Sequence, residues 1–149
     1  MTTASRVHGR RTPRPSGDDR QAAILATAER LLEQRALADI SVDDLARGAG
    51  ISRPTFYFYF KSKDAVLLSL LEPMIAEADA KFDGAVQQLP ADPRRVWRSG
   101  IKAFFAAFGS HRTVARAGTE ALATSPELRA IWNGYMGKWI HQTAALITA

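Results

Sequence analysis

The sequence predicts an all-α fold, and three features carry that expectation. Apolar side chains recur at helical spacing in successive segments after residue 18, no segment of useful length alternates apolar with polar residues, and Ser, Asp or Gly punctuates the periodic stretches. With 149 residues, 46% hydrophobic and 23% charged, the chain has the composition of one packed domain or two small ones.

Residues 1–17 hold Arg6, Arg10, Arg11 and Arg14 without an acid, interspersed with Gly9, Pro13, Pro15 and Gly17. Such a stretch buries too little apolar surface to fold alone and reads as a flexible basic arm, suited to phosphates or a minor groove. Asp18 or Asp19 is the expected cap of a first helix that turns Ile24, Leu25, Ala28, Leu31 and Leu32 inward and Glu29, Arg30 and Glu33 to water. Ser41 with Asp44 resembles a shortened capping box for a short second helix bearing Val42, Leu45 and Ala46, and Gly48 ends it. Ala49, Gly50 and Ile51 form a tight turn, after which Ser52 caps a third helix with Pro54 in its first turn, where a missing N–H costs little.

Ser62 caps a long fourth helix through Val66, Leu67, Leu70, Leu71, Ile75, Ala78 and Phe82, with Pro73 expected to interrupt and kink it. Asp92 and Pro93 start a fifth, where Trp97, Ile101, Phe104, Phe105 and Phe108 recur at helical spacing until Gly109 and Ser110 close it. A short sixth helix is expected over about 113–123. Ser125 and Pro126 open a seventh with Leu128, Trp132, Tyr135, Met136, Trp139, Thr143 and Leu146 or Ile147 on one broad face.

Two short helices joined by a Gly-containing turn, spanning residues 41–60, form a helix-turn-helix. Phe56, Tyr57, Phe58, Tyr59 and Phe60 place five of the thirteen aromatic residues in consecutive positions, more than one helix can bury against one neighbour. If Phe56, Tyr59 and Phe60 face the core, Arg53, Thr55, Tyr57 and Phe58 project outward. Exposed aromatics beside Arg53, Lys61 and Lys63 suit a nucleic-acid surface, because Tyr bonds phosphate and an aromatic face meets a thymine methyl. Arg53 is the candidate for a base edge, since a guanidinium pairs bidentately with guanine; Lys61 and Lys63 anchor phosphates, and Arg47 either does so or ends its helix in water.

Across Ile40-Ser41-Val42-Asp43-Asp44-Leu45-Ala46, Gly50-Ile51-Ser52-Arg53-Pro54-Thr55-Phe56-Tyr57-Phe58-Tyr59-Phe60 and Ser62-Lys63-Asp64, the sequence resembles the DNA-binding domain of TetR-family bacterial repressors. The resemblance extends along the chain toward one member of that family, through Arg14-Pro15-Ser16-Gly17-Asp18-Asp19-Arg20, Phe108-Gly109-Ser110-His111 and Lys138-Trp139-Ile140. It implies three N-terminal helices that grip DNA, the third in the major groove, and a helical C-terminal domain that dimerises and holds an inducer. By match to the motif, Arg53, Thr55, Tyr57 and Phe58 take recognition positions, Ser41 begins the supporting helix and Lys63 takes a phosphate position. The expected organisation is a basic arm (1–17), a helix-turn-helix DNA-binding domain (18–64) and a partial helical ligand-binding domain (65–149).

Trp97, Gly100, Phe104 and Phe108 on the fifth helix are expected to face Trp132, Met136, Trp139 and Thr143 on the seventh. Aromatics at this spacing serve a core as well as a cavity. Gly100, Gly118, Gly134 and Gly137 stand inside helices, where each costs roughly 1 kcal/mol relative to Ala, so close packing or a cavity is expected at them. The resemblance favours a cavity, because the matching region of that relative lines an elongated apolar chamber. Few ionisable groups lie on these faces, so the expected inducer is hydrophobic and uncharged, with one hydrogen bond to Thr143. The partners implied are a double-stranded, inverted-repeat DNA operator, that inducer and, for the full-length family, a second copy. Family members generally continue with two long helices that build the dimer seam, so this chain is expected to be a two-domain repressor cut short. The alternative is a truncated member that retains the fold but lacks dimerisation and specific operator binding.

Other classes lack their chemistry. Cysteine is absent, which excludes disulfides, thiolate metal sites and thiol catalysis; His8, His111 and His141 lack metal-ligand spacing, and Glu120 and Glu127 have no pairing pattern. Gly48-x-Gly50 is a fragment of a dinucleotide fingerprint without a preceding strand. No catalytic residue, metal or cofactor is expected. The longest run free of Asp, Glu, Lys and Arg is residues 139–149, well short of the roughly 20 residues of a bilayer span, and no apolar run near the start forms a signal core. No membrane partner is expected, and the location expected is the cytoplasm. The net charge of +5 is shared, +3 over residues 1–64 and +2 over the rest.

Overall fold

Serine and aspartate caps set where most of these helices begin. The structure, a computed structural model, describes residues 16–87 and 92–148. Residues 1–15 of the basic arm, and the side chains of Leu146 and Ile147, lie outside the described residues. The elements are α1 (Gly17–Leu32), a 3-10 turn (Leu37–Asp39), α2 (Val42–Gly48), α3 (Arg53–Tyr59), α4 (Lys63–Gln87), α5 (Pro93–Ser110), α6 (Arg112–Ala121) and α7 (Pro126–Thr148). The chain is all-α over the described residues, as expected.

The cap of α1 is Ser16, not Asp18 or Asp19. Its hydroxyl accepts from the Asp19 N–H at 3.2 Å, and the Asp19 carboxylate accepts from the Ser16 N–H at 2.8 Å. The acid thus works from inside the first turn, where it satisfies the cap's own amide. α2 repeats this box with Ser41 and Asp44, both bonds at 3.0 Å, as expected. Ser52 starts α3, with Pro54 in the first turn; Ser62 starts α4; Asp92 and Pro93 start α5; Ser125 starts α7 through the Leu128 N–H. α6 stops at Ala121, short of residue 123, because the N–H groups of Ala123 and Thr124 bond three residues back and tighten the chain into a turn. α4 runs through Pro73 as helix, so the expected interruption does not occur. Pro73 lies on an exposed side of α4, where water can take up the carbonyl that the proline leaves unpaired.

One buried core joins α1 (Ile24, Ala28, Leu32), α2 (Leu45), α3 (Phe56) with Phe60 just after it, the first half of α4 (Val66, Leu67, Met74) and α6 (Val114, Ala117). Residue 65 therefore falls inside a helix whose first turns belong to the same core as α1 to α3. A second, smaller cluster of Ala78, Ala107 and Trp139, edged by Phe82, Phe104 and Met136, joins α4, α5 and α7. α6 approaches α4 closely at Gly118, where an added Cβ would lie 2.9 Å from Leu71 Cδ2. Gly100 is another close approach, where an added Cβ would lie 3.3 Å from the Phe82 ring. Gly134 and Gly137 depart from expectation: nothing lies within 4 Å of a Cβ at either, because both sit on the exposed side of α7.

Candidate nucleic-acid interface and apolar chamber

α3 divides its aromatic run between inside and outside. Phe56 and Phe60 are buried and Tyr59 packs against the same core, whereas Tyr57 is 46% and Phe58 87% exposed. The turn before it depends on Gly50, whose φ of +69° is a backbone conformation glycine adopts without strain. That turn is closed by the Ile51 N–H bonded to the Ala46 carbonyl at 3.0 Å. Arg53 opens α3 and is exposed, with its Nη1 donating to Asp43 Oδ2 of α2 at 3.3 Å. The hydrogen bond that Arg53 donates to the Tyr57 oxygen, and then the charge interactions with Tyr57 and Asp43, raise the Arg53 pKa above its ordinary value. Thr55 is half-buried and shares a 2.8 Å hydrogen bond with the Ser52 hydroxyl. Lys61 and Arg47 are exposed. Ser41 is exposed too, with its oxygen engaged in the α2 cap.

Lys63 has a different job from the phosphate anchor expected of it. Its ammonium donates to the carbonyls of Leu37 (2.9 Å), Ile40 (3.0 Å) and Ala38 (3.4 Å), so it clamps the 3-10 turn to the start of α4. An ammonium has three protons, and three carbonyls receive them. Arg20, which the sequence reading gave no site role, joins Asp19, Gly50, Ser52 and Thr55 around a concavity between α1 and the turn that Ala23, Ala49 and Ile51 also line.

Between α4, α5 and α7 lies an apolar chamber of about 390 Å³. Of the eight residues expected to line it, Trp97, Gly100, Phe104, Met136, Trp139 and Thr143 do so, and Ala78, Phe82, Ile101, Ile140 and Ala144 join them. Phe108 and Trp132 do not. They stand nearer α6 and line a separate void of about 40 Å³ with Leu71, Met74 and Gly118. The two spaces are linked by rings in contact: Phe104 stacks on Phe108 (centroids 4.3 Å apart), and Phe104 and Trp132 both meet Trp139 edge-on. Among the described residues, no charged side chain lines the chamber. The Trp139 N–H is already given to Asp79 at 2.8 Å, so among the described residues the Thr143 hydroxyl and the Trp97 indole N–H are the side-chain groups for polar contact inside.

The chamber's α4–α7 wall is held by a polar seam that the sequence did not reveal. Lys138 Nζ binds Asp79 at 2.7 and 2.8 Å and Asp83 at 3.4 Å, and Gln142 Nε2 donates to Asp83 at 2.8 Å. Arg116 of α6 donates to the Leu32 carbonyl at the end of α1, at 2.8 Å. His111 stands 4.0 Å from Glu77, and no group of three or more metal-ligating side chains exists among the described residues.

Residues 24–70, which carry the turn and α3, match the family described as bacterial regulatory proteins of the tetR family. Residues 97–149, which carry α5 to α7, match the C-terminal domain of the transcriptional regulator EthR. The HTH-type transcriptional regulator EthR of Mycolicibacterium smegmatis is 66% identical over 152 residues, covering 100% of this chain and 70% of that protein. The protein of the same description in Mycobacterium tuberculosis (strain ATCC 25618 / H37Rv) is 61% identical over 148 residues, covering 98% and 68%. The chain belongs to the TetR family and is an EthR-like transcriptional regulator.

Solved structures agree with the TetR fold. The TetR-family regulator PfmR from Thermus thermophilus superposes with a TM-score of 0.67 at 23% identity, covering 84% of this chain and 68% of that one. A regulator from Aquifex aeolicus gives 0.64 at 18% identity, covering 86% and 71%. The relatives of this TetR-family regulator are transcriptional regulators, not enzymes. No helix among its described residues is long and apolar enough to cross a membrane.

Proposed function

We propose that this regulator is a cytoplasmic DNA-binding repressor that reads an inverted-repeat operator through α3 and releases it when a neutral apolar molecule fills the chamber. The observation that carries the proposal is the split of α3, whose buried Phe56 and Phe60 fix the helix while Arg53, Tyr57 and Phe58 stand outside. Arg53 has the donors for a guanine edge, Tyr57 for a phosphate, and Phe58 the surface for a thymine methyl. Lys61 and Arg47 supply phosphate contacts, and the arginines of residues 1–15 add charge from the arm. Two copies on one operator double these contacts and require half-sites a whole helical turn apart.

The chamber supports the ligand half of the proposal. Its volume falls within the roughly 300–1,000 Å³ of small-molecule sites, and burying a charge among these rings would leave it without a partner. Release requires that the ligand favour the DNA-incompetent arrangement, since equal affinity for both would shift nothing. The test is operator binding over a series of salt concentrations, with and without a panel of neutral aryl and alkyl compounds and their carboxylate counterparts. Expected are a log–log salt slope of about −0.9 per phosphate contacted and release by neutral compounds alone. Binding indifferent to salt would remove the phosphate contacts, and release by the carboxylates alone would remove the chamber assignment.

A further inference from the structure

We propose that Asp43, an acid on the supporting helix, is a positioning residue that sets sequence discrimination by holding Arg53 and withholding it from phosphates. The proposal rests on the reading of α3 as the helix that enters the groove. Its geometry is an ion pair between helices: Arg53 Nη1 reaches Asp43 Oδ2 at 3.3 Å across the turn, ten residues apart in sequence.

Asp43 is not needed to build α2. The capping box that starts this helix uses Asp44, whose carboxylate accepts from the Ser41 N–H at 3.0 Å. Nor does the ion pair do much for the fold, because its side chains are 57% and 52% exposed and solvent screens such a pair. An acid here does carry a cost. It shares a surface with Arg53 and opposes the approach of a polyanion. An arginine on a long, flexible stem beside a nucleic acid can fall on any phosphate, which adds affinity but no sequence information. Tethered to Asp43 through one Nη1 proton and hydrogen-bonded also to Tyr57, Arg53 still has donors left over from its five, enough for a bidentate bond to a guanine edge. Asp43 thereby exchanges indiscriminate affinity for discrimination, without itself bonding a base.

The experiment uses the 149-residue chain and a duplex selected by the wild-type chain from a randomised pool, compared with its scrambled version by fluorescence anisotropy at several salt concentrations. For Asp43→Asn the expected result is tighter binding to the scrambled duplex and a selected-to-scrambled ratio that falls by about tenfold, within the discrimination one bidentate contact supplies. Its salt slope should steepen by about 0.9, one further phosphate contact. Asp43→Glu should recover most of the ratio, and the thermal midpoint of both variants should match the wild type, which separates this role from a structural one. In an Arg53→Ala background, Asp43→Asn should have no further effect on the ratio. The assignment to Asp43 is overturned if Asp43→Asn keeps the wild-type ratio, or lowers it equally with Arg53 absent. A wild-type chain that selects no sequence overturns both this assignment and the reading of α3 beneath it.

Discussion

Phe56 and Phe58 stand two positions apart on α3, one fully buried and the other 87% exposed. A helix advances about 100° per residue, so a two-residue step carries a side chain to the far face. The consequence is a clean separation of stability from recognition. Phe56→Ala removes a ring that contacts both Tyr57 and Phe60, and the cavity should cost about 3–5 kcal/mol in urea denaturation. Phe58→Ala should stay within about 0.5 kcal/mol of the wild type. In anisotropy the order reverses for protein that is folded: Phe58→Ala should weaken operator binding, with the loss confined to sites that place a thymine beside it. A stable Phe58→Ala chain that binds every operator variant as the wild type does would remove Phe58 from the interface. The neighbouring Lys63 shows why residue type alone misleads, since an ammonium beside a recognition helix is attracted to a phosphate and to an orphan carbonyl alike. Which of them it serves depends on the carbonyls of Leu37 and Ile40, more than twenty residues earlier in the chain.

At the scale of elements, the seam between α4 and α7 is the contact most open to measurement. Burial pushes the Asp79 carboxyl up, but the hydrogen bonds from Lys138 and Trp139 outweigh it and hold the pKa below the ordinary 3.8. Because the folded value is the lower one, the seam's contribution is complete above the ordinary value and is lost as pH falls through it and below. Acidification below about pH 4 should therefore loosen α7 from α4, seen as a change in tryptophan fluorescence as the Trp139–Asp79 bond breaks. Lys138→Met should move that change to higher pH, and an unmoved transition would mean that Lys138 does not hold Asp79. Nothing local announces this seam, because Asp79 and Lys138 are 59 residues apart and each looks like an ordinary solvated charge on its own helix. Helix starts were legible for the opposite reason: Ser41 with Asp44, or Asp92 with Pro93, completes its hydrogen bonding within one turn. At α1 even that local signal was misassigned, since Asp19 is the acid inside the box and Ser16 the cap. The chamber was legible in six of its eight expected residues because helical spacing reports which side chains share a face. It does not report where along the face a third helix arrives, and α6 takes Phe108 and Trp132 into a different void.

For the molecule as a whole, the proposed function requires that a filled chamber reach α3. α4 spans the distance: its first half packs with α1 and α3 through Val66 and Leu67, and its second half lines the chamber through Ala78 and Phe82. α6 is braced against the same frame, by Arg116 on the Leu32 carbonyl of α1 and by Gly118 against Leu71 of α4. A ligand that displaces Phe82 therefore pushes on a rod whose far end carries α3. Gly100 is the place to apply that push without a ligand, since a Cβ there already meets the Phe82 ring at 3.3 Å. Gly100→Leu introduces a branched side chain at the chamber wall, and removal of an internal helical glycine offsets part of the steric cost by about 0.8 kcal/mol. The variant should remain folded, should lose the rise in thermal midpoint that neutral compounds give the wild type, and should bind operator as weakly as the ligand-filled wild type does. At a ligand concentration of about 100 Kd the wild type should gain roughly 2.7 kcal/mol of stability, large enough that its loss is unambiguous. A folded Gly100→Leu chain that still gains stability from the same compounds would show that they bind elsewhere. One that loses this gain yet binds operator at full strength would show that the chamber and α3 are not coupled through α4.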